Sequence, residues 1–123
     1  MRILILLFIF CFQTSAQETT NSRKAAKSYR AAKSSVAIQN FQSAKILLEE
    51  AVAIDSRFVE AWILLGDVHV GLGDKRNGIE AYRKSIPLAP RFSYPMYYRL
   101  AIAEHSLGDY SEALQHIRKY LSS

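Results

Sequence analysis

Cysteine is nearly absent from this chain of 123 residues, and Cys11 is its single thiol. One thiol forms no intrachain disulfide, and a structural zinc site needs several thiolate or imidazole ligands. The three histidines, His69, His105 and His116, form no i, i+4 pair and no HExxH motif. The sequence therefore predicts no metal site, and we expect no cofactor.

Motifs of phosphate binding and nucleophilic catalysis are missing as well. The closely spaced Gly71 and Gly73 fall at a predicted helix end and not in a phosphate-binding loop. Asp67 and His69 are two residues apart and point to different sides of a helix, so their spacing supports no Ser-His-Asp arrangement. We expect a protein that is not an enzyme.

Long runs of like charge are also missing, since none exceeds two residues in a chain of net charge +5. The densest basic feature is a stripe along the first predicted helix, formed by Arg23, Lys24, Lys27, Arg30 and Lys33. We interpret this stripe as the solvated face of an amphipathic helix and expect no nucleic-acid partner. Binding to an anionic lipid or glycan surface is the alternative.

The longest apolar run, Ile3 to Phe12, has ten residues, whereas a membrane-spanning helix needs about 20. The run follows the positively charged Arg2 and precedes a small-residue exit that ends at Ala16. This order predicts a secretory signal peptide over residues 1–16, cleaved after Ala16. Bulky residues precede Cys11 within the run, which argues against a lipid anchor. We therefore expect an exported chain without cysteine and without a membrane span.

Apolar residues at helical spacing predict an all-α mature chain with no strand. The six predicted helices span residues 23–38, 41–54, 58–72, 75–86, 94–107 and 111–121. Pro87 and Pro90 are expected to end the fourth helix, because proline cannot donate to the helical ladder. Residues 17–22 are polar, and we expect them to be a disordered leader.

Two short turns support these boundaries. Gly73-Asp74 and Gly108-Asp109 each place a glycine before an aspartate. Glycine is favoured where a helix ends in the left-handed conformation, and aspartate is favoured as the side-chain cap of the next helix. Each turn therefore predicts a tight connection between two paired helices.

The strongest pattern in the chain is a repeat with a period of 34 to 35 residues. Its middle copy carries Trp62, Leu65, Gly66, His69, Gly73, Gly78, Tyr82 and Pro90. The preceding copy carries Ser28, Ala31, Ala32, Ser35, Gln39, Ala44, Leu48 and Ser56. The following copy carries Tyr97, Leu100, Ala101, Glu104, Gly108, Ala113 and Ile117. A period of this length is typical of stacked helix pairs.

These copies resemble the tetratricopeptide repeat, whose pattern runs Trp-x-x-Leu-Gly-x-x-Tyr, then Ala-x-x-x-Phe, then Pro. The chain departs from that pattern at His69 in place of Tyr, at Gly78 in place of Ala and at Ser56 in place of Pro. The resemblance implies a right-handed α-solenoid over residues 23–123, with three helix-turn-helix repeats at about 25–58, 59–93 and 94–123. It also implies that the protein binds other proteins.

The repeat positions divide into packing residues and surface residues. Small residues let the two helices of a pair approach each other, and large apolar residues fill the space between layers. The predicted packing residues are Ala32, Ala44, Trp62, Leu65, Gly66, Gly78, Tyr82, Leu100, Ala101 and Ala113.

In this family the first helix of each pair lines a concave groove, and the resemblance implies a groove here that holds a protein or peptide segment. The candidate groove residues are Tyr29, Lys33, Val36, Glu60, Ile63, Asp67, Val70, Tyr98, Ile102 and His105. For Tyr29 and Ile63, packing between repeats is an equal alternative. Some family members bind a carboxyl terminus with paired Lys and Asn residues in the groove. This chain has Lys33, but the next repeat places Asp67 in the groove, and its negative charge would repel a carboxylate. We therefore expect no such clamp.

The chain also resembles the amino-terminal repeat module of larger Gram-negative envelope proteins, in which a β-propeller and an OmpA-like domain follow. The segments Phe58–Asp67 and Tyr97–Ala101 carry this resemblance, which implies a periplasmic or outer-membrane-associated location. The third repeat ends without a capping helix. Three alternatives follow. The third pair tolerates the exposure, the module self-associates through its sixth helix as a homo-oligomer, or the chain is a fragment whose missing carboxy-terminal domain docks there. We favour the last two.

Overall fold

The computed structural model describes residues 18–90 and 93–122, so the predicted signal peptide over residues 1–16 lies outside the described residues. The described helices are α1 (Arg23–Ala37), α2 (Phe41–Ile54), α3 (Val59–Gly71), α4 (Lys75–Leu88), α5 (Ser93–Leu107) and α6 (Tyr110–Leu121). This part of the chain contains no strand, which confirms the all-α prediction. None of these helices is both long and apolar enough to cross a bilayer.

Consecutive helices pack as three hairpins, α1 with α2, α3 with α4 and α5 with α6, and the hairpins join through α2 with α3 and through α4 with α5. Two apolar clusters follow this order. One lies among α1, α2 and α3, and the other lies among α4, α5 and the inner side of α3. The stack of three helix pairs is the predicted solenoid.

The turns inside the hairpins follow the predicted chemistry in part. Gly73 and Gly108 adopt positive φ angles of 82° and 86°, and Gln39 takes the equivalent place in the first hairpin at 59°. The Asp74 carboxylate accepts a hydrogen bond from the backbone N–H of Asn77 at 3.2 Å, so this aspartate caps α4. Asp109 makes no side-chain cap to α6, and that part of the prediction is wrong.

One prediction about a helix end is corrected. Helix α4 continues through Pro87 to Leu88, because proline in the last turn removes only one ladder donor and the N–H of Ala89 still reaches the Ser85 carbonyl at 3.2 Å. The described part of the leader, residues 18–22, contacts α1 and α3. Glu18 pairs with Arg30 at 3.1 Å.

The leader supplies partners to the start of α3. Phe58 precedes this helix and offers no side-chain cap to its first N–H groups, which need partners outside the helix. The Thr19 hydroxyl accepts from the Val59 N–H at 3.0 Å, and the Thr19 N–H donates to the Glu60 carboxylate at 3.1 Å. A residue 40 positions away therefore performs the capping.

The predicted packing residues lie where the helices meet. Nine of the ten are buried, and Trp62 is half-buried with its indole N–H donating to the Ser56 carbonyl at 2.8 Å. Gly66 sets the closest approach, since a Cβ there would lie 2.3 Å from Cε1 of Tyr82 on α4. Gly78 on α4 faces α3 in return, and its Cβ would lie 2.8 Å from Val70 and 3.1 Å from the Gly66 carbonyl oxygen.

We expect Gly66→Ala to lower the free energy of unfolding by about 1–3 kcal/mol, because the added methyl displaces the Tyr82 ring. The matched control is Gly71→Ala in the same helix, whose Cβ would meet Phe41 at an ordinary 3.4 Å. That control is expected to be neutral or stabilising by up to about 1 kcal/mol. Urea denaturation followed by circular dichroism measures both, and equal effects would contradict the close-approach assignment.

Asp74 and Asp109 form a second matched pair. Asp74→Ala is expected to cost about 1 kcal/mol of stability, whereas Asp109→Ala costs less because no cap is lost. Hydrogen bonds from the Asn77 side chain and backbone lower the pKa of Asp74. Its contribution is therefore complete above pH of about 4 and disappears as the pH falls through that lowered pKa.

The measurement is the free energy of unfolding of the wild type and of Asp74→Asn between pH 7 and pH 2. Asparagine keeps the cap but does not titrate, so the difference between the two proteins must change with pH in the acid range. A constant difference would show that Asp74 is not the titrating cap.

Candidate functional site

The ten candidate groove residues lie on α1, α3 and α5, and the structure separates them into engaged and exposed groups. Tyr29 and Val36 on α1 pack against the first apolar cluster. The Tyr29 ring lies 4.9 Å from the Phe58 ring, and burial raises the pKa of Tyr29, with smaller contributions from Glu60 and Glu18. Of the two roles considered for Tyr29, groove contact and packing between repeats, these contacts correspond to packing.

The candidate residues on α3 are engaged as well. Ile63 and Val70 pack against the second apolar cluster, so the packing alternative applies to Ile63 also. Asp67 accepts a hydrogen bond from the Tyr82 hydroxyl at 2.5 Å and lies 3.6 Å from Nε of Arg99 on α5. Burial, followed by the bond to Asp67, raises the pKa of Tyr82. This side of α3 joins the second and third hairpins.

Two charged candidates make local contacts. Glu60 receives the N–H and hydroxyl of Thr19 from the leader. The Lys33 ammonium is exposed and lies 5.6 Å from the centre of the Tyr29 ring. The position in α3 that follows Lys33 by one repeat is Asp67, whose carboxylate already has two partners.

The candidate residues on α5 differ, because all three are exposed. Tyr98 is 47% exposed and Ile102 is 53% exposed. Their equivalents in the middle repeat, Ile63 and Asp67, are both partly buried. His105 is exposed with its ring 5.1 Å from Tyr110. The Tyr98 ring is partly engaged, because its centre lies 5.3 Å from that of the Tyr120 ring on α6. The most exposed part of the predicted groove therefore lies on the third repeat.

Ile102 stands between two clefts. The larger, of about 600 Å³, lies between α5 and α6 and is almost wholly apolar. It is lined by Ala101, Ile102, His105, Ser106, Tyr110, Ala113, Leu114 and Ile117. The smaller, of about 280 Å³, is bordered by the cations Lys75 and Arg99. The larger is named the α5–α6 cleft below.

A buried carboxylate was not predicted. Glu104 is 1% exposed and lies 2.7 Å from Nδ1 of His116 and 3.4 Å from Arg83, so it ties α4, α5 and α6 together. Its repeat position offered a signal, because His69 stands one period earlier and is also buried. Neither position forms a group that would hold a metal in the described residues.

The described residues form three helix pairs with small residues where paired helices meet, which are glycines in the middle pair, and the pairs share one period. The tetratricopeptide repeat family profile matches residues 59–92 and 94–123, which is more than half of the chain. The chain belongs to the tetratricopeptide repeat family. Proteins of this family are generally interaction modules for other proteins.

Solved structures share this fold. A crystal structure of MamA is 28% identical over 80% of this chain and 57% of its own, with a TM-score of 0.77. MamA from Desulfovibrio magneticus RS-1, from residue 41 to the end, is 26% identical over 81% of this chain and 56% of its own, with a TM-score of 0.74. This tetratricopeptide repeat chain thus spans a little over half the length of these MamA structures.

A third structure is the second tetratricopeptide domain of Spaghetti (RPAP3), bound to the HSP90 peptide SRMEEVD. It is 14% identical over 80% of this chain and 91% of its own, with a TM-score of 0.74, and it shows a common fold alone. No curated protein matches this tetratricopeptide repeat chain.

Proposed function

We propose that this protein is an exported interaction module of the periplasm or outer membrane, which binds a protein or peptide segment on the exposed side of α5. The observation that carries the proposal is the contrast between repeats. Ile63 and Val70 pack inside the stack, whereas Tyr98 and His105, one period later, are exposed beside an apolar cleft.

The chemistry of this surface favours an apolar segment. The α5–α6 cleft offers aromatic and aliphatic side chains, with His105 and Ser106 as the polar groups among its lining residues. Contiguous exposed apolar surface of this kind marks interaction sites in proteins. A segment recognised through a free carboxyl terminus is less suitable, because Asp67 occupies the place where a clamp needs a donor.

A relative supports the general mode of action. The Spaghetti (RPAP3) domain has the same fold and is bound to a peptide. The proposal transfers only peptide binding as a class from that domain, since the two sequences share 14% identity. The location of the partner surface rests on the contacts of α5 in this chain.

We expect Tyr98→Ala combined with Ile102→Ala to reduce capture of partner proteins from an envelope extract by about 10-fold or more, because two exposed anchors are removed. The matched control is Ile46→Ala on α2, an isoleucine that is 59% exposed on another surface. Quantitative mass spectrometry of the captured proteins, with circular dichroism to verify folding, is the measurement. Equal capture by both variants would contradict binding at α5.

Export makes a separate prediction. Expression of the full chain in a Gram-negative host is expected to yield a periplasmic protein that begins at Gln17. The reason is that the apolar run and the small residue Ala16 form a signal peptide with a cleavage site after Ala16. Intact-mass measurement of the periplasmic fraction determines the first residue. The control is Ile5→Arg combined with Phe8→Arg, which breaks the apolar run and should keep the chain in the cytoplasm. A full-length cytoplasmic wild type would refute export and leave the α5 surface unaffected.

A further inference from the structure

The α5–α6 cleft is the third-repeat equivalent of two surfaces in the first and second repeats. Each of those two surfaces is covered by the helix that follows it in the chain. Helix α5 lies against α4 through Met96, Leu100, Ala103 and Leu107. One repeat earlier, Ala61, Leu65 and Val68 of α3 lie against α2. In both contacts the helix that covers the preceding hairpin carries apolar or small residues at regular spacing. The spacings are four and three positions in α3, and four, three and four positions in α5.

The receiving surface also recurs. Ile79, Tyr82 and Ile86 of α4 contact α5, and 35 residues later stand Leu114, Ile117 and Leu121 of α6. Leu114 is 48% exposed and Leu121 is 73% exposed. In the described residues no helix lies on α6 in the way that α5 lies on α4. The surface is therefore shaped for an amphipathic helix.

The chain itself carries a helix with the required pattern. Tyr110, Leu114, Ile117 and Leu121 lie on one side of α6 with spacings of four, three and four residues. The charged Glu112 and Lys119 point to the opposite side, where Glu112 lies 3.6 Å from Arg83 and Lys119 lies over the Tyr97 ring. The exposed side of α6 thus supplies both a receiving surface and an occupant.

The beginning of the stack does not offer the same occupant. The α1 positions that correspond to Met96, Leu100 and Ala103 are Lys27, Ala31 and Ser34, and all three are exposed. In a head-to-tail stack, α1 of one copy would lie on α6 of the next and place the Lys27 ammonium against Leu114 or its neighbours. That contact is unfavourable because it removes the charge from water. The apolar side of α6 has a better match in a second α6.

We propose that two copies of this chain pair about a two-fold axis between their α6 helices, each α6 lying along the α5–α6 cleft of the partner. A two-fold interface uses the same patch on both copies, and this patch is self-complementary in the required way. The two-fold axis lies perpendicular to the α6 helices, which therefore run antiparallel. The inference rests on the proposed function, which assigns the third repeat as the interaction surface. It specifies that the protein bound at this surface is a second copy of the chain.

The test is the mass of the purified protein in sedimentation and light scattering from micromolar to millimolar concentration. We expect the mass to rise with concentration and to level at two chains. Leu114→Asp, which places a charge at the centre of the interface, should raise the dissociation constant of the dimer by about 30-fold or more. Ile46→Asp, the matched control on α2, should leave it unchanged, and circular dichroism verifies that both variants are folded.

Three results would overturn the inference: a single-chain mass at every concentration, a mass that grows past two chains, or equal effects of Leu114→Asp and Ile46→Asp. The proposed function fails in a different way. A wild type that stays monomeric but loses its captured partner in Tyr98→Ala with Ile102→Ala refutes the dimer alone. A dimer broken by Leu114→Asp, together with capture that no α5 substitution changes, refutes the partner site alone.

Discussion

The contact between Gly66 and Tyr82 is the constraint on which the rest of the stack depends. Because Gly66 has no Cβ, α4 approaches α3 until the tyrosine ring lies against the α3 backbone. The ring then passes between the helices, and its hydroxyl reaches Asp67 at 2.5 Å. Asp67 in turn pairs with Arg99 on α5. One missing side chain thereby links the formation of a hairpin to the docking of the next hairpin.

The same construction explains why the third repeat differs from the first two. Each hairpin presents an apolar surface that the next hairpin covers, so side chains such as Ile63 and Val70 are drawn into the stack. Among the described residues, α6 has no following helix, and Ile102 and Leu114 stay exposed. The exposure of these side chains is thus a consequence of their position in the stack more than of a special residue type.

Local rules accounted for most of the helix positions and failed where distant residues intervened. The periodic apolar residues predicted all six helices, because amphipathic spacing is a property of neighbouring residues. The contact between the leader and α3 was not predictable in this way, since Thr19 caps α3 from 40 residues away. Glu104 was missed for the same reason, because its partners Arg83 and His116 belong to two other helices.

The sequence by itself determined the helices, the 34-to-35-residue period and the small residues at which paired helices meet, because these depend on spacing along the chain and on side-chain size. Only the tertiary structure decided which groove positions are exposed. Tyr29, Ile63 and Tyr98 occupy equivalent repeat positions, yet two pack and one is exposed. The physical reason is that exposure depends on whether another helix follows, and no local pattern of residues contains that information.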